Sequence, residues 1–257
     1  MPMLRKFVVL LFIFIFSVAY ANQKPSLSVV QENTFFSVLS KTKEGIVFYP
    51  HVKGVNKIKS WTFMVRDEDN NLVRIISGKK NIPEKIVWDG VDNFGQPVSD
   101  GHYKIEIYIN ADKGDLKFED SEIIIDTVPP FVSVKAANDT YYIYSGKLNK
   151  NINLYLSCGD ESGIDYSDSF ISILNFKNKE INKFRFTEEI PEVIEWDGTD
   201  YIYDALVRPG NYKIIFSVFD KAGNKESSIY EISIVEIVHE SFESNKLEES
   251  SSEFLAE

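Results

Sequence analysis

The chain writes one pattern twice. IPEKIVWDGVDNFGQPVSDGHYKIEI (82–107) returns as IPEVIEWDGTDYIYDALVRPGNYKIIF (190–216). Pro83 and Trp88 recur as Pro191 and Trp196 at the same separation. Tyr103 recurs as Tyr212, one residue further from its tryptophan. Upstream, WTFMVRDEDNNLVR (61–74) is answered by FISILNFKNKEIN (170–182) in the same order. Order and spacing persist together, so the simplest account is one folding unit used in tandem.

The joint between the copies is also legible. SEIIID (121–126) reads as a closing strand, TVPP interrupts it, and FVSVKAA (131–137) starts a new one. Two successive prolines cannot donate to a central ladder, and they stiffen a connection. The units are expected at 24–128 and 129–238. Within them KIEIYIN (104–110), NINLYLS (151–157), YKIIFSVFD (212–220) and SIYEISIVEIV (228–238) alternate or run rich in Ile, Val, Phe and Tyr. Asn, Asp and Gly sit between the runs, and no helical stripe exceeds two turns. Short strands at close spacing in units of about 105 residues predict an all-β protein of two tandem β-sandwiches.

The flanks read differently. Arg5 and Lys6, the apolar run Phe7–Phe16 and Ala19-Tyr20-Ala21 have the order of a secretory signal peptide, 1–21, cut after Ala21. An uncleaved anchor is the alternative. No cysteine follows the cut to take a lipid, and no later apolar run is long enough to span a bilayer. HESFESNKLEESSSEFLAE (239–257) holds six Glu against one Lys and reads as a solvated, disordered acidic tail.

Charge narrows the partners. The formal net charge of −11 becomes −13 when Arg5 and Lys6 leave with the leader. That balance disfavours nucleic acid and anionic lipid. Cys158 is the single cysteine, so the fold is held by packing without an internal disulfide. Its context, LYLSCGD, reads as a strand end with the thiol in apolar surroundings.

The repeated loop is dense in carboxylates. Asp89-Gly90 breaks one strand and Asp100-Gly101 leads into the next, with Gly95 between them. Asp197-Gly198 and Pro209-Gly210 stand at the corresponding places of the second copy. Aspartate accepts bonds from nearby backbone amides and glycine takes positive φ, so these are structural turn residues. Trp88 and Tyr103, and Trp196 and Tyr212, are expected as core aromatics at the base of each loop. Proline at 209 suggests that the position needs a turn and not a carboxylate. The alternative is calcium, with Asp89 and Asp92, and Asp197 and Asp200, as hard oxygen ligands, although neither loop has an EF-hand pattern. DESGID (160–165) and DKAGNKESS (220–228) read as further turns.

Catalytic signatures are missing from the sequence. His51, His102 and His239 form no HExxH and pair with no cysteine, and no GxSxG is present. The carboxylates fall in acidic turns, so no enzyme and no cofactor is expected. A carbohydrate-binding module is the alternative that uses exposed aromatics. In YYIY (141–144), alternation places Tyr142 and Tyr144 opposite Tyr141 and Ile143.

WDGVDNFGQPVSDGHYKIEI resembles the signature of bacterial FlgD-like immunoglobulin-like domains, a fold shared with the flagellar hook-capping protein. IIIDTVPPFVSV and VFDKAGNKESS resemble the linkers and turns of bacterial surface Ig-like repeats. The resemblance covers about 24–238; YIYDALVRPGNY in the second unit departs from it. It implies two immunoglobulin-like or fibronectin III-like sandwiches, no catalytic residues, and a structural or adhesive role in an exported protein of the periplasm or outer surface. The partner implied is an envelope or surface protein.

Overall fold

The computed structural model describes residues 24–40 and 43–238. The expected signal peptide at 1–21, His239 and the expected acidic tail at 239–257 lie outside the described residues. Eight strands make the first sandwich: β1 (Ser26–Gln31), β2 (Phe35–Phe36), β3 (Ile46–Lys53), β4 (Ile58–Asp67), β5 (Leu72–Lys79), β6 (Ile86–Trp88), β7 (Gly101–Ala111) and β8 (Leu116–Ile125). The second begins with β9 (Phe131–Ala136), β10 (Thr140–Tyr144), β11 (Lys147–Leu148), β12 (Ile152–Gly159), β13 (Ile164–Leu174) and β14 (Glu180–Arg185). It continues with β15 (Val193–Trp196), β16 (Thr199–Asp200), β17 (Ala205–Leu206), β18 (Gly210–Asp220) and β19 (Lys225–Ile237).

The two topologies correspond. The first sandwich faces a sheet β1-β3-β6 against β2-β8-β7-β4-β5; the second faces β15-β12-β9 against β11-β10-β19-β18-β13-β14. In each, a short early strand leaves the first sheet and pairs parallel with the last strand: β2 with β8, and β10 with β19. All other pairings in the facing sheets are antiparallel. This is the tandem all-β immunoglobulin-like, fibronectin III-like architecture predicted from the sequence.

Alternation decides which side chains enter the cores. On β7 the inward set is Tyr103, Ile105, Ile107, Ile109 and Ala111; on β18 it is Tyr212, Ile214, Phe216, Val218 and Asp220, all buried. Burying each large apolar chain contributes about 1.5–3 kcal/mol. The sets run in step until the final place, where a buried carboxylate stands for a methyl group. Trp61, Trp88 and Trp196 also lie in the cores. Gly78 lets the Trp61 indole lie on its strand, since a Cβ there would sit 2.7 Å from the ring.

Candidate functional site

The connections between β6 and β7, and between β15 and β18, hold the sequence-singled residues. Trp88 pairs with Ile46 and Trp196 with Ile152. The Trp88 indole N–H donates to Val91 O at 2.9 Å, and that of Trp196 to Thr199 O at 2.9 Å. Tyr103 packs edge-on to Trp88 with centroids 5.2 Å apart, and Tyr212 to Trp196 at 6.0 Å. The Tyr103 hydroxyl donates to Ser99 O at 2.7 Å and that of Tyr212 to Arg208 O at 2.5 Å. Burial raises both phenol pKa values.

Gly90 (φ 73°) and Gly198 (φ 82°) follow the tryptophans, and each carbonyl accepts a backbone bond from beyond the bend, Val98 N at 2.9 Å and Val207 N at 2.8 Å. A Cβ on Gly90 would stand 2.4 Å from Val38 Cγ1; at Gly95 (φ 78°) it would meet nothing within 4 Å. Gly101 and Gly210 start β7 and β18 opposite Ile125 and Ile234.

The loop carboxylates bond mainly to their own backbone. Asp92 Oδ1 accepts from Phe94 N and Gln96 N at 2.8 and 2.9 Å. Asp197 Oδ1 accepts from Thr199 N at 2.8 Å, and Asp200 Oδ1 from Ile202 N at 2.7 Å. Asp89 is exposed. None of Asp89, Asp92, Asp197 and Asp200 falls in a group of three potential metal ligands among the described residues. Asp100 does more than turn the chain: its Oδ2 accepts from Thr127 N and Oγ1 at 3.1 and 3.0 Å, tying the loop to the linker. Pro209 cannot copy that contact. Glu106 lies on β7, against Arg66 at 3.0 Å and Lys117 at 3.5 Å.

The geometry converges instead at the junction of the sandwiches. Asn224, in the turn between β18 and β19, donates its amide to Asp126 O at 2.9 Å, Val128 O at 3.2 Å and Asp220 Oδ2 at 2.7 Å. Ser37 N of the first sandwich donates to Ala222 O at 3.0 Å, and Lys43 Nζ to Lys221 O at 2.5 Å. Asp220 Oδ1 accepts from Gly223 N and Asn224 N at 2.7 and 2.8 Å, which closes the turn. The sequence announced the turn; it did not announce that the Asn224 amide reaches the linker.

Asp126, Asp160 and Asp220 each place one oxygen within 4.8 Å of the others. Burial pushes the Asp220 carboxyl above the ordinary aspartate value, and Asp160 adds to the rise against hydrogen bonds from Asn224 and Gly223. These three oxygens are hard donors of the kind that suit calcium.

Elsewhere, Tyr141 and Ile143 are buried while Tyr142 and Tyr144 are partly exposed, their rings tilted 44° at 6.4 Å. His51 and His102 are exposed. Cys158 is half-buried against the second core, and desolvation raises its thiol pKa. Among the described residues, no helix is long and apolar enough to cross a membrane.

No family model and no curated protein matches the chain. Several solved structures align with the chain at low identity. The FN1-FN3 domains of chicken CNTN1 align at 16% identity and a TM-score of 0.44, over 84% of this chain and 67% of that one. A structure concerned with host cell surface retention of a 1.5-MDa bacterial ice-binding adhesin aligns at 12% and 0.39, over 84% of this chain. The chain spans 66% of that structure's length. CopC from Methylosinus trichosporium OB3b aligns at 18% and 0.29, over 43% of this chain and 97% of its own.

Proposed function

We propose that this chain is an exported, non-catalytic spacer and protein-binding module of the bacterial cell envelope, built from FlgD-like immunoglobulin-like units. One observation carries the reading: Asn224 bonds both linker carbonyls while Ser37 N bonds Ala222 O, so the sandwiches are held together by a dedicated contact. A spacer of set length needs its two sandwiches held in a fixed relation, and this contact supplies one. Loop carboxylates bound to neighbouring amides support the same reading, because those acids shape backbone. Export rests on Arg5, Lys6, the Phe7–Phe16 run and Ala19-Tyr20-Ala21. Fusing residues 1–30 to alkaline phosphatase in a bacterial host tests it. Active phosphatase outside the cytoplasm is the expected result; retention inside would remove the envelope assignment.

A second reading, a calcium-stabilised adhesin repeat, is favoured by the oxygens of Asp126, Asp160 and Asp220 at the junction. A ligand that binds only the folded state raises its melting temperature. Chelation followed by calcium separates the readings: a midpoint lowered by EDTA and restored by calcium, but not in Asp160→Asn, supports the ion. An unchanged midpoint removes it.

A further inference from the structure

The second sandwich carries a cleft of about 480 Å³ at the pole away from the first, formed where the β13–β14 turn meets the β15–β18 connection. Phe176, Lys177, Lys179, Tyr203, Arg208 and Tyr212 line it. Phe176 and Tyr203 are 63% and 69% exposed, so large aromatic surface stands open at its rim. Lys177 Nζ lies 5.6 Å from the Phe176 ring and Lys179 Nζ 5.3 Å from the Tyr203 ring. Among the described residues, none of Lys177, Lys179 and Arg208 enters an ion pair. The acid in the wall, Asp200, spends one oxygen on Ile202 N.

The equivalent turn of the first sandwich has the opposite charge. There the β4–β5 turn holds Asp67, Glu68 and Asp69, and its acids bond Asn71 and His102 N. The cleft is thus cationic and aromatic, its basic groups outside any ion pair among the described residues, in a chain of net charge −11. It fits an acidic peptide with interspersed aromatic side chains: carboxylates for the lysines and arginine, a ring for the apolar floor.

We propose that this cleft is a docking site for such a peptide and that residues 239–257 of the same chain occupy it. Ile234 on β19 pairs with Gly210, and a Cβ on Gly210 would touch the Phe176 ring at 3.4 Å. The last strand therefore leaves its sheet at the pole that holds the cleft. The segment that follows carries six Glu, one Lys, Phe242 and Phe254. Covalent attachment makes docking intramolecular, at an effective concentration of order millimolar. A partner of the same chemistry would then have to displace this segment, which makes the cleft a self-covered binding site.

The test adds a synthetic 239–257 peptide to ¹⁵N-labelled protein ending at Val238. Amide shifts confined to 175–181 and 200–212 are expected, weakened roughly tenfold by Lys177→Glu with Lys179→Glu and by added salt. The chain through Glu257 should bind the added peptide roughly tenfold more weakly, because its own segment competes. Both lysines are exposed, and an unchanged melting curve verifies that the double variant folds. Lack of shifts in the shortened chain overturns the proposal. So does equal binding by the charge-reversed variant, or by a peptide with both phenylalanines replaced by serine.

Discussion

Trp88 and Trp196 occupy the same niche in two different sandwiches. Each stands across from an isoleucine on the neighbouring strand, and each gives its indole N–H to the carbonyl three residues on at 2.9 Å. Each meets a tyrosine edge-on, and that tyrosine's hydroxyl bonds a carbonyl four residues back. The tryptophan, the glycine bend and the tyrosine together close the end of a sandwich and aim the next strand.

Equivalence of this kind has an energetic consequence. Trp88→Phe and Trp196→Phe should each destabilise their unit by about 1–3 kcal/mol, from lost volume and an unpaired carbonyl. Urea unfolding followed by unit-specific NMR signals reads both. A large loss in one unit with none in the other would contradict the shared role.

Gly90 and Gly95 have nearly the same φ and different surroundings. Gly90→Ala meets Val38 Cγ1 at 2.4 Å as well as a left-handed backbone, whereas Gly95→Ala meets open space. The first should cost about 2–4 kcal/mol and the second about 1–2 kcal/mol. Equal costs in denaturant melts would show that the contact with Val38 does not constrain the bend.

The Asp220 carboxyl titrates above the ordinary aspartate value of 3.8, chiefly through burial. A folded pKa above the unfolded one means that the folded state holds its proton more tightly. The associated stability is present in full below the unfolded pKa and is lost as pH rises through the folded pKa. Wild-type stability relative to Asp220→Asn should therefore fall as pH rises from 3.8 through the folded value, read from urea midpoints at stepped pH. A difference that grows with pH over that window would reverse the assignment.

The strands and the repeat were legible because their signals are local. Alternation along β7 and β18 names Tyr103 and Tyr212 as inward, and the Trp–Asp–Gly spacing places the bends. The cross-unit contacts were not legible. Asn in an Asp-x-x-Gly-Asn turn reads the same whether its amide meets water or a linker carbonyl 96 residues earlier. Asp100 likewise reads as a turn former, and only the fold brings Thr127 to its carboxylate. The cleft is formed by turns from separate parts of the chain, so Phe176 and Tyr203 gave no joint signal.

We propose the unit boundary near Pro129 as a folding boundary too. Fragments 24–128 and 129–238 each retain a two-sheet core, and each should give dispersed amide NMR signals. Collapsed spectra from both fragments would mean that the sandwiches fold only together.

The central claim, that the Asn224 contact makes one stiff body of two sandwiches, is tested most directly by ¹⁵N relaxation. The wild-type chain should give a single rotational correlation time for both units. Asn224→Ala, which removes the bonds to Asp126 O, Val128 O and Asp220 Oδ2, should give two shorter ones. Independent tumbling of the two units in the wild-type chain would contradict the account.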